Sequence, residues 1–173
     1  MHIFDLTTQD TPTTWDDSAQ IEAVAIFESL DNEDVFLPHI RHHFDLMVDR
    51  WFSDITTLAH KNAPELIVND WKKLGKITLN WGRQCHHPVS LEELHETLVR
   101  KQRDYGHQNI ARFGRQGLLI RVHDKIARLE NLSKFASTDT PNFESIQDTV
   151  MDIAGYSTIG MMWEKRTFLL PLK

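Results

Sequence analysis

The sequence predicts an all-α protein, a helical bundle of about five to six helices. Three observations favour this class: apolar residues recur with a period near 3.6 over long segments, strand-like alternation is scarce, and only 7 glycines and 6 prolines are present. With 173 residues, 40% hydrophobic and 25% charged, the chain is long and apolar enough for one globular domain. We expect an N-terminal helical region over residues 1–88, within the same bundle or at a dimer seam, and a helical core over residues 89–173.

Composition narrows the classes of function. The net charge of −6 argues against binding of polymeric nucleic acid, although a local basic cluster is sufficient for a free anion. The single cysteine, Cys85, excludes a disulfide framework and a cysteine-rich zinc site. No apolar run approaches the ~18 residues of a transmembrane helix, and the first residues lack the basic and apolar regions of a secretory signal. We therefore expect a cytoplasmic protein without a membrane partner.

The N-terminal half contains three predicted helices. Residues 1–17 are polar and are expected to form an irregular arm, after which Ser18 caps a helix over residues 18–30. Apolar residues at heptad-like spacing predict a long helix over residues 35–60, with a wide face for a bundle or a dimer seam. A third helix is predicted over residues 65–73.

The link that follows the third helix is predicted to be irregular. Gly75 is expected to end or interrupt the helix, because glycine disfavours helix interiors. Residues 76–81 are expected to form a short strand or an irregular link, and residues 82–88 a loop.

Three further helices are predicted in the C-terminal half. Ser90 caps the first with Glu93 as its capping-box partner, and the helix extends to about residue 104, where Tyr105-Gly106 stops it. A loop over 106–116 is followed by a helix over 117–132 and a polar loop over 133–142. The last helix is expected to start near residue 141 and to continue through residue 163, and an extended tail is expected over 166–173.

The helix over 117–132 carries two adjacent stripes. Leu119, Val122, Ile126 and Leu129 form an apolar seam, and beside it lie Arg121, Asp124, Lys125 and Arg128. Three cations and one carboxylate within two turns can hold phosphate oxygens and supply one metal ligand. The alternative is an ion-pair ladder on the surface, in which each pair contributes about 0.2–0.5 kcal/mol.

The last helix places two carboxylates on one face. Asp148 and Asp152 are four residues apart, and Tyr156 continues the same face into small and apolar positions. Two partly buried carboxylates need a compensating cation, which can be Lys, Arg or Mg²⁺. The alternative is that these acids favour the positive end of the helix dipole.

A third charged segment, Lys101-Gln-Arg-Asp-Tyr-Gly106, lies at a predicted helix end. Its cations and its glycine are typical of a helix C-terminus, which is a sufficient structural explanation of these residues taken singly. It is followed by Gly-Leu-Leu-x-Arg-x-x-Asp-Lys-x-x-Arg and by Glu-Ser-x-x-Asp-Thr-x-x-Asp-x-x-x-Tyr. Taken in order, the three segments resemble the nucleotide-modification-associated domain 1 family, common in bacteriophages. More distantly they resemble the all-α NTP pyrophosphohydrolases of the MazG and dimeric dUTPase class. The resemblance covers roughly residues 90–163.

The resemblance implies a helical bundle, often dimeric, with a MazG-like core in the C-terminal half. It further implies a Mg²⁺-dependent (deoxy)nucleotide-binding protein, with Mn²⁺ as an alternative metal, that acts as a (d)NTP pyrophosphohydrolase or a related phosphohydrolase. The expected metal ligands are Asp124, Asp148 and Asp152, with Glu144 as an outer ligand. In this hypothesis the phosphates are neutralised by Lys101, Arg121, Lys125 and Arg128, and the catalytic residues are Lys125, Arg128 and the three aspartates. Tyr105 or a tryptophan stacks on the base, Asp104 orients Lys101 or contacts the sugar, and Tyr156 also binds the substrate.

Two alternatives come from other classes of protein. One is a non-catalytic nucleotide-binding or assembly module, with the 35–60 helix and its Trp51 and Phe52 as the partner surface. The other is a transition-metal hydrolase that uses the histidine cluster His39, His42 and His43 or the His86-His87 pair. The zincin spacing is absent, so this second alternative depends on the i, i+4 spacing of His39 and His43.

Overall fold

A computed structural model describes the backbone of residues 11–53, 63–134 and 140–173, and the side chains of 11–53, 65–134 and 146–173. Every regular element in these ranges is an α-helix, which confirms the predicted all-α class. In chain order the helices are α1 (Trp15–Glu28), α2 (Leu37–Trp51), α3 (Ala63–Gln84), α4 (Leu91–Tyr105), α5 (Gln108–Ala111), α6 (Gly114–Lys134) and α7 (Thr140–Glu164).

Helix α7 is the centre of the bundle and packs against α1, α3, α4 and α6. Its most extensive contact is with α3, where a Cβ atom at Gly160 would overlap the ring of the fully buried Trp71. The hydrophobic core therefore continues from the N-terminal region into residues 89–173. The expected homodimer stays a prediction.

Helix α3 contradicts the prediction of a break at Gly75 and of a strand or link over 76–81. The helix continues to Gln84. A Cβ at Gly75 would lie 2.9 Å from Ile26 Cδ1 and 3.3 Å from Ser157 Cβ, so this glycine lets α1 and α7 approach α3 closely. The packing of three helices outweighs the cost of about 1 kcal/mol for glycine in a helix interior.

The N-cap of helix α1 lies four residues before the predicted one. Thr14, not Ser18, is the N-cap, and its side-chain oxygen accepts a hydrogen bond from the Asp17 N–H at 3.2 Å. Ser18 is buried, and its hydroxyl donates to Thr167 Oγ1 at 2.5 Å. Of the predicted arm, residues 1–10 lie outside the described residues.

Helix α2 keeps its apolar face inside the bundle. Ile40, Phe44 and Met47 are buried, and the helix packs against α3 and α6. Trp51 is 4% exposed and donates its indole N–H to Asp70 Oδ2 at 2.7 Å. Trp51 is thus part of the core rather than of a partner surface, whereas Phe52 is exposed. The last residues of the predicted 35–60 helix lie outside the described ones.

Helix α4 has the capping box that the sequence predicted. Ser90 Oγ accepts the Glu93 N–H at 3.1 Å, and Glu93 Oε2 accepts the Ser90 N–H at 3.3 Å. Gly106 ends the helix with φ of 65°. The predicted loop over 106–116 instead contains the short α5 and the first residues of α6. In the tail over 166–173, which was expected to be extended, residues 166 and 168–170 lie in turns or a bend.

Candidate functional site

A pocket of about 360 Å³ opens between α4, α5, α6 and α7. Its lining mixes apolar, aromatic and charged side chains. It consists of Trp15, Leu94, Thr97, Leu98, Lys101, Gln102, Tyr105, Asn109, Ile110, Arg121, Lys125, Met151, Asp152, Gly155, Tyr156 and Ile159. Residues from five helices thus form one concave surface, which is typical of a small-molecule site.

The charged part of the pocket is centred on Asp152. Lys101 Nζ on α4 lies 2.9 Å from Asp152 Oδ1, and Lys125 Nζ on α6 lies 3.0 Å from Asp152 Oδ2. The Asp152 side chain is only 18% exposed, whereas Lys101 is 50% exposed. One carboxylate therefore fixes two ammonium groups from different helices, and each ammonium has further N–H donors for another acceptor.

Arg121 is the third cation of the pocket. Its Nη2 donates to the backbone oxygen of Asn109 at 3.2 Å, which links α6 to α5. Arg121 is one turn of α6 before Lys125, so both cations lie on one row of the helix. The charged lining therefore consists of three cations and one carboxylate, a net charge of +2.

The uncharged part of the pocket is apolar and aromatic. Tyr105 at the end of α4 is 66% exposed, and Tyr156 lies one turn of α7 after Asp152. Gly155 is also part of the lining, and it lets α4 pack closely on α7, because a Cβ there would come within 3.3 Å of Leu98 Cδ2. An aromatic ring of a ligand can pack against these side chains while its anionic group contacts the lysines.

Six of the predicted site residues line this one pocket: Lys101, Tyr105, Arg121, Lys125, Asp152 and Tyr156. Four others do not line it. Asp104, Asp124, Arg128 and Asp148 are exposed, and the Asp124 side chain is 76% exposed beside His123. The side chain of Glu144 lies outside the described ones.

The described residues do not fit the expected magnesium site. The predicted convergence of Asp124, Asp148 and Asp152 is not found, and no group of three or more His, Cys, Asp or Glu suited to a metal occurs among the described residues. Among the described residues that line the pocket, Asp152 is the one carboxylate, and both of its oxygens accept hydrogen bonds from lysines. Mg²⁺ is held by one or two carboxylates together with waters and phosphates, and the single carboxylate of the described lining is already paired with two ammonium groups.

The histidine cluster on α2 is not assembled as a metal site either. His43 is buried, and its Nε2 lies 2.8 Å from the backbone oxygen of Asp70. The Nδ1 of His39, which is exposed, accepts the Phe36 N–H at 3.2 Å, while His42 is exposed. His39 and His43 share a helix, but their ring nitrogens contact different backbone groups.

Sequence reasoning missed several lining residues. Trp15 lies in the segment that was predicted to be an irregular arm. The signal that could have located it is Thr14, a residue type that favours the N-cap position, directly before the first residue of α1. Asn109 lies in the predicted loop, and its Oδ1 is buried without a hydrogen-bond partner among the described residues. Gln102 is buried, with Nε2 2.6 Å from His107 Nδ1, and polarity alone gave no indication of that burial.

No protein-family model, curated protein or solved structure matches this chain. The proposed chemistry of the pocket therefore depends on its own residues. None of the helices in the described ranges combines the length and apolar character that a membrane crossing requires.

Proposed function

We propose that the chain binds a phosphate-bearing small molecule of the nucleotide class in the pocket between α4, α5, α6 and α7. The observation that carries the proposal is the convergence of Lys101, Arg121 and Lys125, from two helices, on one concave surface. Charge-assisted hydrogen bonds from such groups to phosphate oxygens are stronger than neutral ones, by roughly a factor of two.

The remainder of the pocket supports the nucleotide class. Tyr105 and Tyr156 offer ring faces for a base, and apolar side chains surround them. Asn109 adds an amide whose oxygen has no partner among the described residues. An unpaired buried acceptor costs about 1–3 kcal/mol, so a donor group on a ligand would be favourable there.

Hydrolysis, expected from the family resemblance, stays a prediction. The described part of the chain offers the pocket one carboxylate, which is held by two lysines. Binding is therefore the function that this geometry supports, and the two activities can be measured separately.

The test uses a matched pair of variants on α6. Lys125→Met removes a cation of the pocket, while Arg128→Met removes one that is exposed outside the lining. We expect Lys125→Met to weaken binding of deoxynucleotides at least about tenfold, because it also leaves the charge of Asp152 less compensated. Arg128→Met should change the dissociation constant less than about twofold.

Isothermal titration of the purified full chain with deoxynucleotides measures both variants, and circular dichroism verifies that each is folded. Equal losses in the two variants, or no binding by the unsubstituted chain, would contradict the proposal. Release of phosphate or pyrophosphate with Mg²⁺ is followed in the same samples and tests the hydrolytic prediction independently.

A further inference from the structure

The charge of the pocket lining limits the ligands that it suits. Lys101, Arg121 and Lys125 supply three positive charges and Asp152 one negative charge, so the net charge is +2. A phosphate monoester carries about −1.5 to −2 at pH 7, which this lining neutralises. Every additional phosphate adds negative charge for which the described lining has no further cation.

Asp152 lies between Lys101 and Lys125 and contacts both of them. Its Oδ1 and Oδ2 accept from Lys101 and Lys125 at 2.9 and 3.0 Å. Because the carboxylate is largely buried, its repulsion of a further anion is screened less by solvent than at an exposed position. Asp152 thus lowers the affinity of the two lysines for ligands with several negative charges. At the same time it holds both ammonium groups in position to bind one phosphate group.

Polyphosphates are usually neutralised by Mg²⁺ held on carboxylates. The residues described here place no second carboxylate in the pocket lining. The pocket volume of about 360 Å³ is also near the lower end of the ~300–1,000 Å³ of small-molecule sites.

On the basis of the nucleotide-binding function proposed above, we infer that the pocket selects nucleoside monophosphates over triphosphates, and that Asp152 determines this selectivity. Asp152 is a specificity-determining and positioning residue, since the contacts to the ligand are made by the cations that it holds.

The experiment compares the deoxynucleoside mono- and triphosphates of the four common bases, each with and without Mg²⁺. For the base that binds best, the monophosphate should bind at least about tenfold more tightly than the triphosphate. Asp152→Asn removes one negative charge with little change of shape. It should reduce the mono-to-triphosphate ratio of affinities by about tenfold, chiefly through tighter triphosphate binding.

Asp148→Asn is the matched control. It lies one turn earlier on α7, makes the same change in net charge, and is exposed outside the pocket lining, so the ratio should stay within about twofold of the unsubstituted value. The comparison of ligands on the unsubstituted chain does not depend on the folding of any variant.

Triphosphate binding as tight as or tighter than monophosphate binding, in either buffer, would overturn the inference and leave the proposed function standing. An equal shift of the ratio in Asp152→Asn and Asp148→Asn would also overturn it. Failure of every nucleotide to bind would instead reject nucleotide binding itself.

Discussion

Four neighbouring charged residues in the middle of α6 show how much depends on the position of a single side chain. At about 100° per residue, Arg121 and Lys125 form one row, and Asp124 and Arg128 a second row displaced by roughly 60°. The first row lines the pocket beside α7, whereas the second is exposed. Sequence spacing places all four on one stripe, but packing on one side of the helix separates them.

Gly160 is a residue at which one added methyl group should be costly. A Cβ there would overlap the ring of Trp71, a fully buried residue of α3 that packs against α7. We expect Gly160→Ala to lower the free energy of unfolding by about 1–3 kcal/mol, because overpacking outweighs the ~1 kcal/mol gain in helix propensity. Chemical denaturation measures the change.

Gly155→Ala on the same helix is the control for this prediction. The nearest atom to its added Cβ is Leu98 Cδ2, the end of a flexible side chain, at 3.3 Å. It should therefore alter stability less than Gly160→Ala. The reverse order would show that the contact between α7 and Trp71 has room for a methyl group.

At the level of single helices, local sequence signals located both ends of α4 correctly. Ser90 and Glu93 form the predicted box, and Gly106 ends α4 with positive φ. The same reasoning failed at Gly75, because the gain there comes from neighbouring helices and not from the local sequence. It failed also at the start of α1, where the buried Ser18 hydroxyl contacts Thr167 rather than capping a helix.

The capping box gives a prediction for α4 as a unit. Ser90→Ala removes the acceptor for the Glu93 N–H, so the unfolding free energy should fall by about 1 kcal/mol. Ser90→Thr retains a hydroxyl acceptor and should recover most of that loss. Thermal unfolding followed at 222 nm by circular dichroism compares the two variants. Equal stability of Ser90→Ala and the unsubstituted chain would contradict the role of the cap.

At the scale of the whole molecule, the buried His43 links stability to pH. Burial of the imidazole lowers the pKa of His43. The backbone carbonyl and the carboxylate charge of Asp70 oppose this shift, whereas the positive charges of Lys73 and Arg50 add to it. Since the folded pKa is lower than the unfolded value of about 6.5, the unfolded chain binds the proton more readily. The contribution of neutral His43 to stability is therefore complete above about pH 6.5 and is lost as the pH falls towards the folded pKa.

Unfolding free energies measured between pH 7.5 and 5 should consequently decrease on acidification. In His43→Gln this decrease should be smaller, because one group that takes up a proton on unfolding is absent. His42→Gln replaces an exposed neighbour on the same helix and should follow the unsubstituted chain. Parallel curves for all three proteins would exclude His43 as a source of the pH dependence.

The amino-acid sequence was sufficient to predict the helical class, most helix positions in the C-terminal half and the charged residues that bring cations to α4 and α6. These properties depend on periodicity, caps and residue type, which are local along the chain. The packing of the helices established that Asp152 contacts both Lys101 and Lys125, whereas Asp124 and Asp148 are exposed outside the pocket lining. Packing against neighbouring helices, above all against α7, sets the rotation of each helix about its own axis. That rotation determines which row of charged side chains lines the pocket and which row is exposed to solvent.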